Sequence, residues 1–480
     1  MYRSRTLSLL LSLLLVYSTQ TTQALNLPEI GEISGRMMTP TQERRLGEAF
    51  MRQVRNSGKV IDEPILAEYL ETLGSRLANH PNAHGHRFHL FLIDDPSINA
   101  FAGPAGHIGI HSGLILHTQT ESELASVIAH EMAHITQHHL LRSFDAANDG
   151  SLAMAAAILA GVLVGAATKN SDATLAAITG AQAAAIQRQI NFTRSHEKEA
   201  DTIGIRILAE SDYDPNGMPD FFERLERNSR HSDAHKIPEF LRTHPVTTSR
   251  IAESRARASD YPYRQISDSL EYHLLHAALK QRTFSDRRAA IDYFHSSLAA
   301  GRYRNPSGHR YGYARALLAA RDYPQAREEL AQLLREEAFH PAFIIAKAEA
   351  LLHSGEGNAA VTLLRDARLL YSGSRPLLIA KAETLLYLER TQEAEQLLLR
   401  HLQQESSDHH LYRLAAQAVG SNGRIALGHL YLAESLYHRG HLREARNQLE
   451  SGLRADDVDD FLSARLAARL RQISQELRQP

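Results

Sequence analysis

Residues 121–139 read Glu121-Ser-Glu-Leu-Ala-Ser-Val-Ile-Ala-His-Glu-Met-Ala-His-Ile-Thr-Gln-His-His139. The rest of this 480-residue chain is organised around them. Apolar residues recur in it at steps of three and four, the period of an amphipathic helix. They form a predicted buried stripe: Leu124, Ile128, Met132 and Ile135. The stretch is therefore predicted to be a helix packed against a core.

The pattern His-Glu-x-x-His falls on this helix at His130, Glu131 and His134. The two histidines are one turn apart, with Cβ atoms about 5–6 Å from each other on one face. Two imidazole nitrogens can then reach one zinc ion at about 2.0–2.1 Å. Glu131 would lie beside the metal and could take a proton from the attacking water. The motif indicates the zinc site of a metallopeptidase, with one Zn²⁺ per chain.

A second helical segment, Ser195–Leu208, offers carboxylates for a third ligand. Glu197 and Asp201 are four residues apart and share one face. One of them can complete a His-His-carboxylate site, and the other can orient an imidazole from behind. Glu199 is a competing ligand on another side of the helix.

The composition narrows the classes of function. The chain has no cysteine, which excludes disulfides, thiolate zinc ligands and a lipoprotein anchor. Its formal net charge of -2 gives no reason to expect a nucleic-acid partner. His, Asp and Glu are therefore the candidate metal ligands.

The amino terminus has the features of a signal peptide. Arg3 and Arg5 precede an apolar run from Leu7 to Val16, and Ala24 lies at a plausible cleavage point. The run is shorter than the ~20 residues that a membrane span needs. Export with cleavage near Ala24 is predicted rather than anchoring.

A stretch before the histidine helix predicts two short strands around a Gly-Pro turn. In one interpretation Asn99, Ala100, Phe101 and Ala102 form an edge strand that holds an extended peptide substrate. In the other, the strands are a simple hairpin that covers the core. Periodicity does not choose between them.

The alanine- and glycine-rich segment 152–190 separates the two predicted ligand helices. A helical hairpin, buried or acting as a mobile cover over the site, is the first interpretation. Peripheral membrane contact is the second, since the apolar run approaches the length of a marginal span.

His244 is a possible regulatory metal ligand. It precedes Pro245, which favours an extended loop conformation. A neutral imidazole in the open position of a three-ligand zinc site would stop hydrolysis. The alternative is a loop histidine that only packs or forms hydrogen bonds.

The carboxyl-terminal half repeats with a period of 34 residues. Ala316-Leu-Leu, Ala350-Leu-Leu and Thr384-Leu-Leu follow this interval, as do Ala326, Ala360 and Ala394. This is the tetratricopeptide period, with two helices in each repeat. An all-α solenoid of four or five repeats with a concave groove is predicted.

Together, these residues carry a resemblance. His130-Glu131-x-x-His134 followed by Glu197-x-x-x-Asp201 resembles the gluzincin metallopeptidases that include HtpX and the CAAX prenyl endoproteases. Asn99-Ala-Phe-Ala102 is similar to their strand before the active helix, and the repeats resemble the exported branch of β-barrel assembly-enhancing proteases. The resemblance implies His130, His134 and Glu197 as zinc ligands, Glu131 as the base and Asp201 as a supporting catalytic residue.

We therefore expect a signal peptide (1–24), an α+β metallopeptidase domain with a small sheet (25–258), a linker (259–267) and a tetratricopeptide solenoid (268–478). The expected function is zinc-dependent cleavage of misassembled outer-membrane proteins in the periplasm. As the resemblance implies, the repeats would dock clients or the outer-membrane β-barrel assembly machinery. The alternatives are a chaperone or scaffold with a largely silent zinc site, and a purely structural zinc.

Overall fold

The computed structural model describes residues 39–79, 86–140, 194–230, 238–402 and 407–478. The predicted signal peptide and the segment 152–190 lie outside these residues. No helix in the described ranges is long and apolar enough to cross a membrane.

The amino-terminal half is mostly helical and carries one small sheet. Its helices are α1 (Pro40–Asn56), α2 (Pro64–Ala78), α3 (Ser112–His117), α4 (Glu121–Thr136), α5 (Arg194–Glu210), α6 (Gly217–Arg230), α7 (Glu239–Thr243) and α8 (Thr248–Ala258). Its strands are β1 (Val60–Ile61), β2 (His89–Ile93), β3 (Ala100–Ala102) and β4 (His107–His111).

The sheet has the strand order β1-β2-β4-β3. β2 and β4 run parallel, and the outer strands β1 and β3 pair antiparallel with their neighbours. β3 is joined to β4 by a short turn at Pro104–Gly106. The segment predicted as a hairpin therefore forms one, and its first strand lies at an edge of the sheet.

Helix α4 runs through the centre of the amino-terminal core. It begins after Thr120, whose side chain accepts a hydrogen bond from the Glu123 backbone N–H and caps the helix. All residues from Glu121 to His134 are buried. The sequence predicted one buried stripe; the helix is covered on more sides because β3, α2, α5 and α6 all pack against it.

The carboxyl-terminal half consists of helices alone within the described residues. They are α9 (Leu270–Arg282), α10 (Arg287–Ala299), α11 (Pro306–Ala319), α12 (Tyr323–Glu336), α13 (Pro341–His353), α14 (Gly357–Leu370), α15 (Arg375–Tyr387), α16 (Thr391–His401), α17 (His409–Ser421), α18 (Ile425–His438), α19 (Leu442–Gly452) and α20 (Asp460–Arg478). The second helices of successive pairs begin at Tyr323, Gly357, Thr391 and Ile425, each 34 residues after the last. The predicted α+β domain and helical repeat array are thus both present.

Helix α9 joins the two halves. Tyr272 and Leu275 on one face belong to the core of the amino-terminal half, whereas Leu274 and Ala277 belong to the first core of the repeats. The Tyr272 hydroxyl lies 2.9 Å from the Thr118 hydroxyl, just before α4. The core of the amino-terminal half therefore includes residues on both sides of the predicted linker (259–267). The domain boundaries stay predictions.

The far end of the array returns to helix α1. Arg55 donates a hydrogen bond of 2.6 Å to the His438 carbonyl. Gly440 approaches Arg52 so closely that a Cβ atom there would lie 2.3 Å from the Arg52 carbonyl oxygen. Its φ of 90° also favours glycine. The array thus contacts the amino-terminal half at both of its ends.

Candidate metal centre

Helix α4 presents His130 and His134 from one face to a buried point. Their Nε2 atoms lie 3.0 Å apart, and both side chains are buried. The i, i+4 spacing on a regular helix produces this proximity without any distortion. Because the residues of α4 around them are also buried, the packing of this helix determines where the two rings lie.

Helix α5 brings Glu197 from its first turn to the same point. The Glu197 carboxylate oxygens lie 3.6 Å from Nε2 of His130 and 3.6 Å from Nε2 of His134. Gly204 allows this close helix packing, because a Cβ atom there would lie 3.2 Å from the His130 backbone nitrogen. Glu197 is thereby placed between the two histidines.

His244 adds a third imidazole to this cluster. It ends helix α7, and its Nδ1 lies 3.3 Å from His130 Nε2 and 3.1 Å from Glu197 Oε1. Its ring stacks on the buried Phe240 with centroids 4.9 Å apart. Phe240 is itself tied to the segment before β3 by a backbone hydrogen bond to the Ile98 carbonyl. The packing fixes His244 in the cluster.

Glu131 lies beside the cluster with an uncommitted carboxylate. Both of its oxygens are buried and have no hydrogen-bond partner among the described residues. Oε1 is 3.6 Å from Nε2 of His244. Burial raises the pKa of this carboxyl above its usual range. A buried carboxylate with a raised pKa is suited to accept a proton.

Behind the histidines, Asp201 and Arg250 form a second layer. Asp201 Oδ1 lies 3.0 Å from His130 Nδ1, so the carboxylate contacts the ring nitrogen that faces away from the cluster. Arg250 contacts both Asp201 oxygens and also lies 2.7 Å from Glu197 Oε2. Burial alone would lower the pKa of His130, but Asp201 and Glu197 outweigh it and raise the pKa to about 9. The surroundings therefore favour positive charge at the cluster.

His134 has its own partner in this layer. Its Nδ1 lies 2.8 Å from Nδ1 of the buried His139, whose Nε2 lies 3.2 Å from Glu199 Oε2. Glu199 is 41% exposed and points away from the cluster. The structure therefore places Glu197, and not Glu199, among the candidate ligands.

The structure brings together the residues that the sequence singled out: His130, Glu131, His134, Glu197, Asp201 and His244. Two residues were missed, Arg250 and His139. Arg250 follows His244 by six residues, and an arginine at that position carries no metal-ligand signal. His139 follows His134 by five, off the face of the helix, and no spacing rule pointed to it. Ala100–Ala102 form β3, against which α4 packs.

The donor set fits a single divalent metal ion. Ligand atoms of His130, His134, Glu197 and His244 all lie within 4.8 Å of one another. Imidazoles with one carboxylate are the donors that zinc-type ions take. The carboxylates of Glu197 and Asp201 hold a proton on His130 in the metal-free chain, and a cation would take over that charge.

Comparison with known proteins agrees with this geometry. Residues 64–258 match the model of Peptidase family M48. The β-barrel assembly-enhancing protease of Escherichia coli K12 is 32% identical over 450 residues, which cover 94% of this chain and 91% of that protein. This chain therefore belongs to Peptidase family M48, as the Escherichia coli protease and the matched range indicate.

Other relatives cover less of the chain. A Vibrio cholerae member of the family is 42% identical over 314 residues, 65% of this chain and 64% of that protein. The mitochondrial metalloendopeptidase OMA1 of Arabidopsis thaliana is 30% identical over 201 residues, 42% of this chain and 38% of that protein. The family assignment makes this chain a metallopeptidase. The candidate ligands His130, His134, Glu197 and His244 all lie inside the matched range.

Proposed function

We propose that this chain is a zinc-dependent endopeptidase that cleaves misassembled outer-membrane proteins in the periplasm. The observation that carries the proposal is the buried set of His130, His134 and Glu197 with the buried carboxylate of Glu131 beside it. Relatives named as β-barrel assembly-enhancing proteases support the choice of substrate class.

Three side chains would hold the zinc: His130, His134 and Glu197. Zinc in such a site activates water and polarises the scissile carbonyl. Glu131 would accept the proton of the attacking water, because its buried carboxylate lies beside the cluster, 3.6 Å from His244 Nε2. Asp201 would keep His130 in the orientation and tautomer of a ligand.

The edge strand β3 is the proposed substrate platform. Residues Ala100–Ala102 pair on one side with β4 and lie against α4. An extended client segment could add, through backbone hydrogen bonds, to the side of β3 that pairs with no other strand among the described residues. Asn99 precedes the strand, and its buried side-chain oxygen has no hydrogen-bond partner among the described residues. The repeats would dock the client or the outer-membrane assembly machinery.

The proposal is tested by Glu131→Gln in the full chain. This change removes the base but keeps the volume of the side chain and all proposed ligands. We expect the metal content to be unchanged and the hydrolysis of an unfolded client protein to fall by ~10²-fold or more. Glu48→Gln, a change at an exposed position on α1, serves as the control. Full proteolysis by a metal-loaded Glu131→Gln enzyme would refute the mechanism.

A second function has support from His244. This side chain lies among the proposed ligands, where a fourth protein ligand would leave zinc no open position. This four-ligand arrangement is expected of a chaperone or scaffold whose metal site is largely inactive. It is equally expected of a protease that stays inactive until a client displaces His244.

His244→Ala separates these two readings. If the site is a latent protease, the variant should cleave clients several-fold faster than the unmodified chain at equal metal content. If the site is silent for other reasons, cleavage stays low in both proteins while suppression of client aggregation persists. A chelator arm confirms that any cleavage depends on the metal.

A further inference from the structure

Three side chains meet at a second point, where the repeat array contacts the amino-terminal half. Asp62 follows strand β1, and His409 and His410 begin helix α17. Asp62 Oδ2 lies 2.6 Å from His409 Nε2, and Asp62 Oδ1 lies 3.0 Å from His410 Nε2. One carboxylate thus faces two imidazoles from a distant part of the chain.

The three side chains are close enough together to bind one metal ion. One donor atom from each of the three residues lies within 4.8 Å of the other two. The rings of His409 and His410 stack with centroids 4.6 Å apart. Their side chains are only 13% and 15% exposed, whereas Asp62 is 39% exposed. The imidazoles are therefore held in place, and the carboxylate side is open to an entering ion and to water.

Consecutive residues on a helix usually point in different directions, so the convergence of these two histidines needs a local cause. Asp408 caps the helix by accepting hydrogen bonds from the backbone N–H groups of His410 and Leu411. The His409 carbonyl accepts a hydrogen bond of 2.8 Å from the Ser435 hydroxyl. The first turn is thus anchored on both sides, which keeps both rings directed at Asp62.

The hydrogen bonding of this group is incomplete. Neither ring nitrogen of His410 makes a hydrogen bond among the described residues, so its contact with Asp62 is electrostatic. Buried polar atoms of this kind are usually satisfied by a protein group, water or an ion. The position of His410 therefore points to a missing ligand.

The charges suit a cation. The Asp62 carboxylate supplies negative charge to the point that both imidazoles face, 2.6 Å from His409 Nε2 and 3.0 Å from His410 Nε2. Metal ions of this kind bind a deprotonated carboxylate and neutral imidazoles. Arg55 lies near enough to oppose a cation, and Asp408 partly offsets it.

We propose that Asp62, His409 and His410 bind a second divalent metal ion of the zinc class, which fastens the repeat array to the amino-terminal half. Two imidazoles and one carboxylate favour Zn²⁺, Ni²⁺ or Cu²⁺ over Mg²⁺ and Ca²⁺, which take oxygen ligands. The site is separate from the cluster at His130 and shares no residue with it.

The test is the stoichiometry of Zn²⁺ bound to the full chain, measured by competition with a chromogenic chelator. The unmodified chain should bind one equivalent more than the double variant His409→Gln/His410→Gln. Asp62→Asn should weaken this equivalent at least tenfold. The matched controls are Asp94→Asn, at another ion pair between the halves, and His401→Gln, at an exposed histidine of the array. Both should keep the extra equivalent.

The difference of one equivalent does not depend on how much metal the cluster at His130 holds. Equal stoichiometry in the unmodified chain and the double variant would overturn the proposal, and so would loss of the extra equivalent in His401→Gln. Hydrogen exchange gives a second readout: Zn²⁺ should slow exchange at the start of α17 in the unmodified chain but not in Asp62→Asn. Exchange that Zn²⁺ slows equally in both proteins would also overturn it.

Discussion

Arg250 binds both oxygens of the Asp201 carboxylate, with Nε 2.8 Å from Oδ2 and Nη2 2.7 Å from Oδ1. Asp201 in turn contacts His130 through the ring nitrogen that faces away from the cluster. The orientation of a proposed metal ligand thus depends on a side chain two contacts away. The arginine also offsets the charge of the two buried carboxylates, Glu197 and Asp201.

Arg250→Gln should weaken metal binding by about 10–100-fold, because residues that orient a ligand typically contribute this much. Competition with a chelator measures the affinity. Arg255→Gln is the control, since Arg255 lies on the same helix but makes exposed ion pairs with Asp220 and Glu223. Unchanged affinity in Arg250→Gln would show that Asp201 holds His130 without help.

Glu197→Ala should lose the metal after dialysis, whereas Glu199→Ala should retain it. Glu197 lies between the two histidines of α4, whereas Glu199 lies 3.2 Å from His139 Nε2. Metal content by atomic absorption distinguishes the two variants. The opposite pattern would mean that the wrong carboxylate has been assigned as the third ligand.

The stability of a truncated chain should depend on whether the truncation removes α9. A fragment that ends at Ser267 lacks Tyr272 and Leu275, which complete the amino-terminal core. Removing buried side chains of this size costs about 2–5 kcal/mol each, so this fragment should unfold or aggregate. A fragment that ends at Gly301 keeps α9 and should be more stable. Thermal unfolding of the two fragments tests this, and equal stability would contradict it.

Acid should destabilise the protein through two half-buried histidines, His107 and His276. Burial lowers the pKa of His107 and of His276 to about 4 in the folded chain, against 6.5 for the unfolded chain. Between these values the unfolded state binds more protons, so stability falls as the pH drops from 6.5 to about 4. Each histidine should contribute on the order of 1–3 kcal/mol.

Chemical denaturation at several pH values measures this loss. His276→Gln should show a smaller loss of unfolding free energy between pH 6.5 and pH 4 than the unmodified chain. His401→Gln, at an exposed position, should match the unmodified chain. An identical pH profile in all three proteins would rule out this role for His276.

Much of the candidate site was predictable because its signals are local. The i, i+4 spacing of His130 and His134 places their rings on one helix face wherever that helix lies. The 34-residue interval between Ala326 and Ala360 predicted helix pairs for the same reason. Glu197 followed from the need for a third ligand together with helical periodicity.

The rest depended on contacts that no spacing reveals. Arg250 reaches Asp201 only because α8 crosses α5, and nothing in either helix predicts that crossing. The dual role of α9 was also not predictable, since Leu274 and Leu275 are adjacent in sequence yet belong to different cores. Asp62 and His409 meet only after the whole array has returned to the amino-terminal half.

The contact between Arg55 and the His438 carbonyl joins residues 383 positions apart. Because a chain is synthesised from its amino terminus, α1 is made long before the end of the array that it contacts. Contacts of such long range slow folding, because the loop must close before they stabilise anything. The end of the array should therefore dock late, and folding intermediates with an undocked array should leave the surface of α1 around Arg52 and Arg55 exposed to proteases and chaperones.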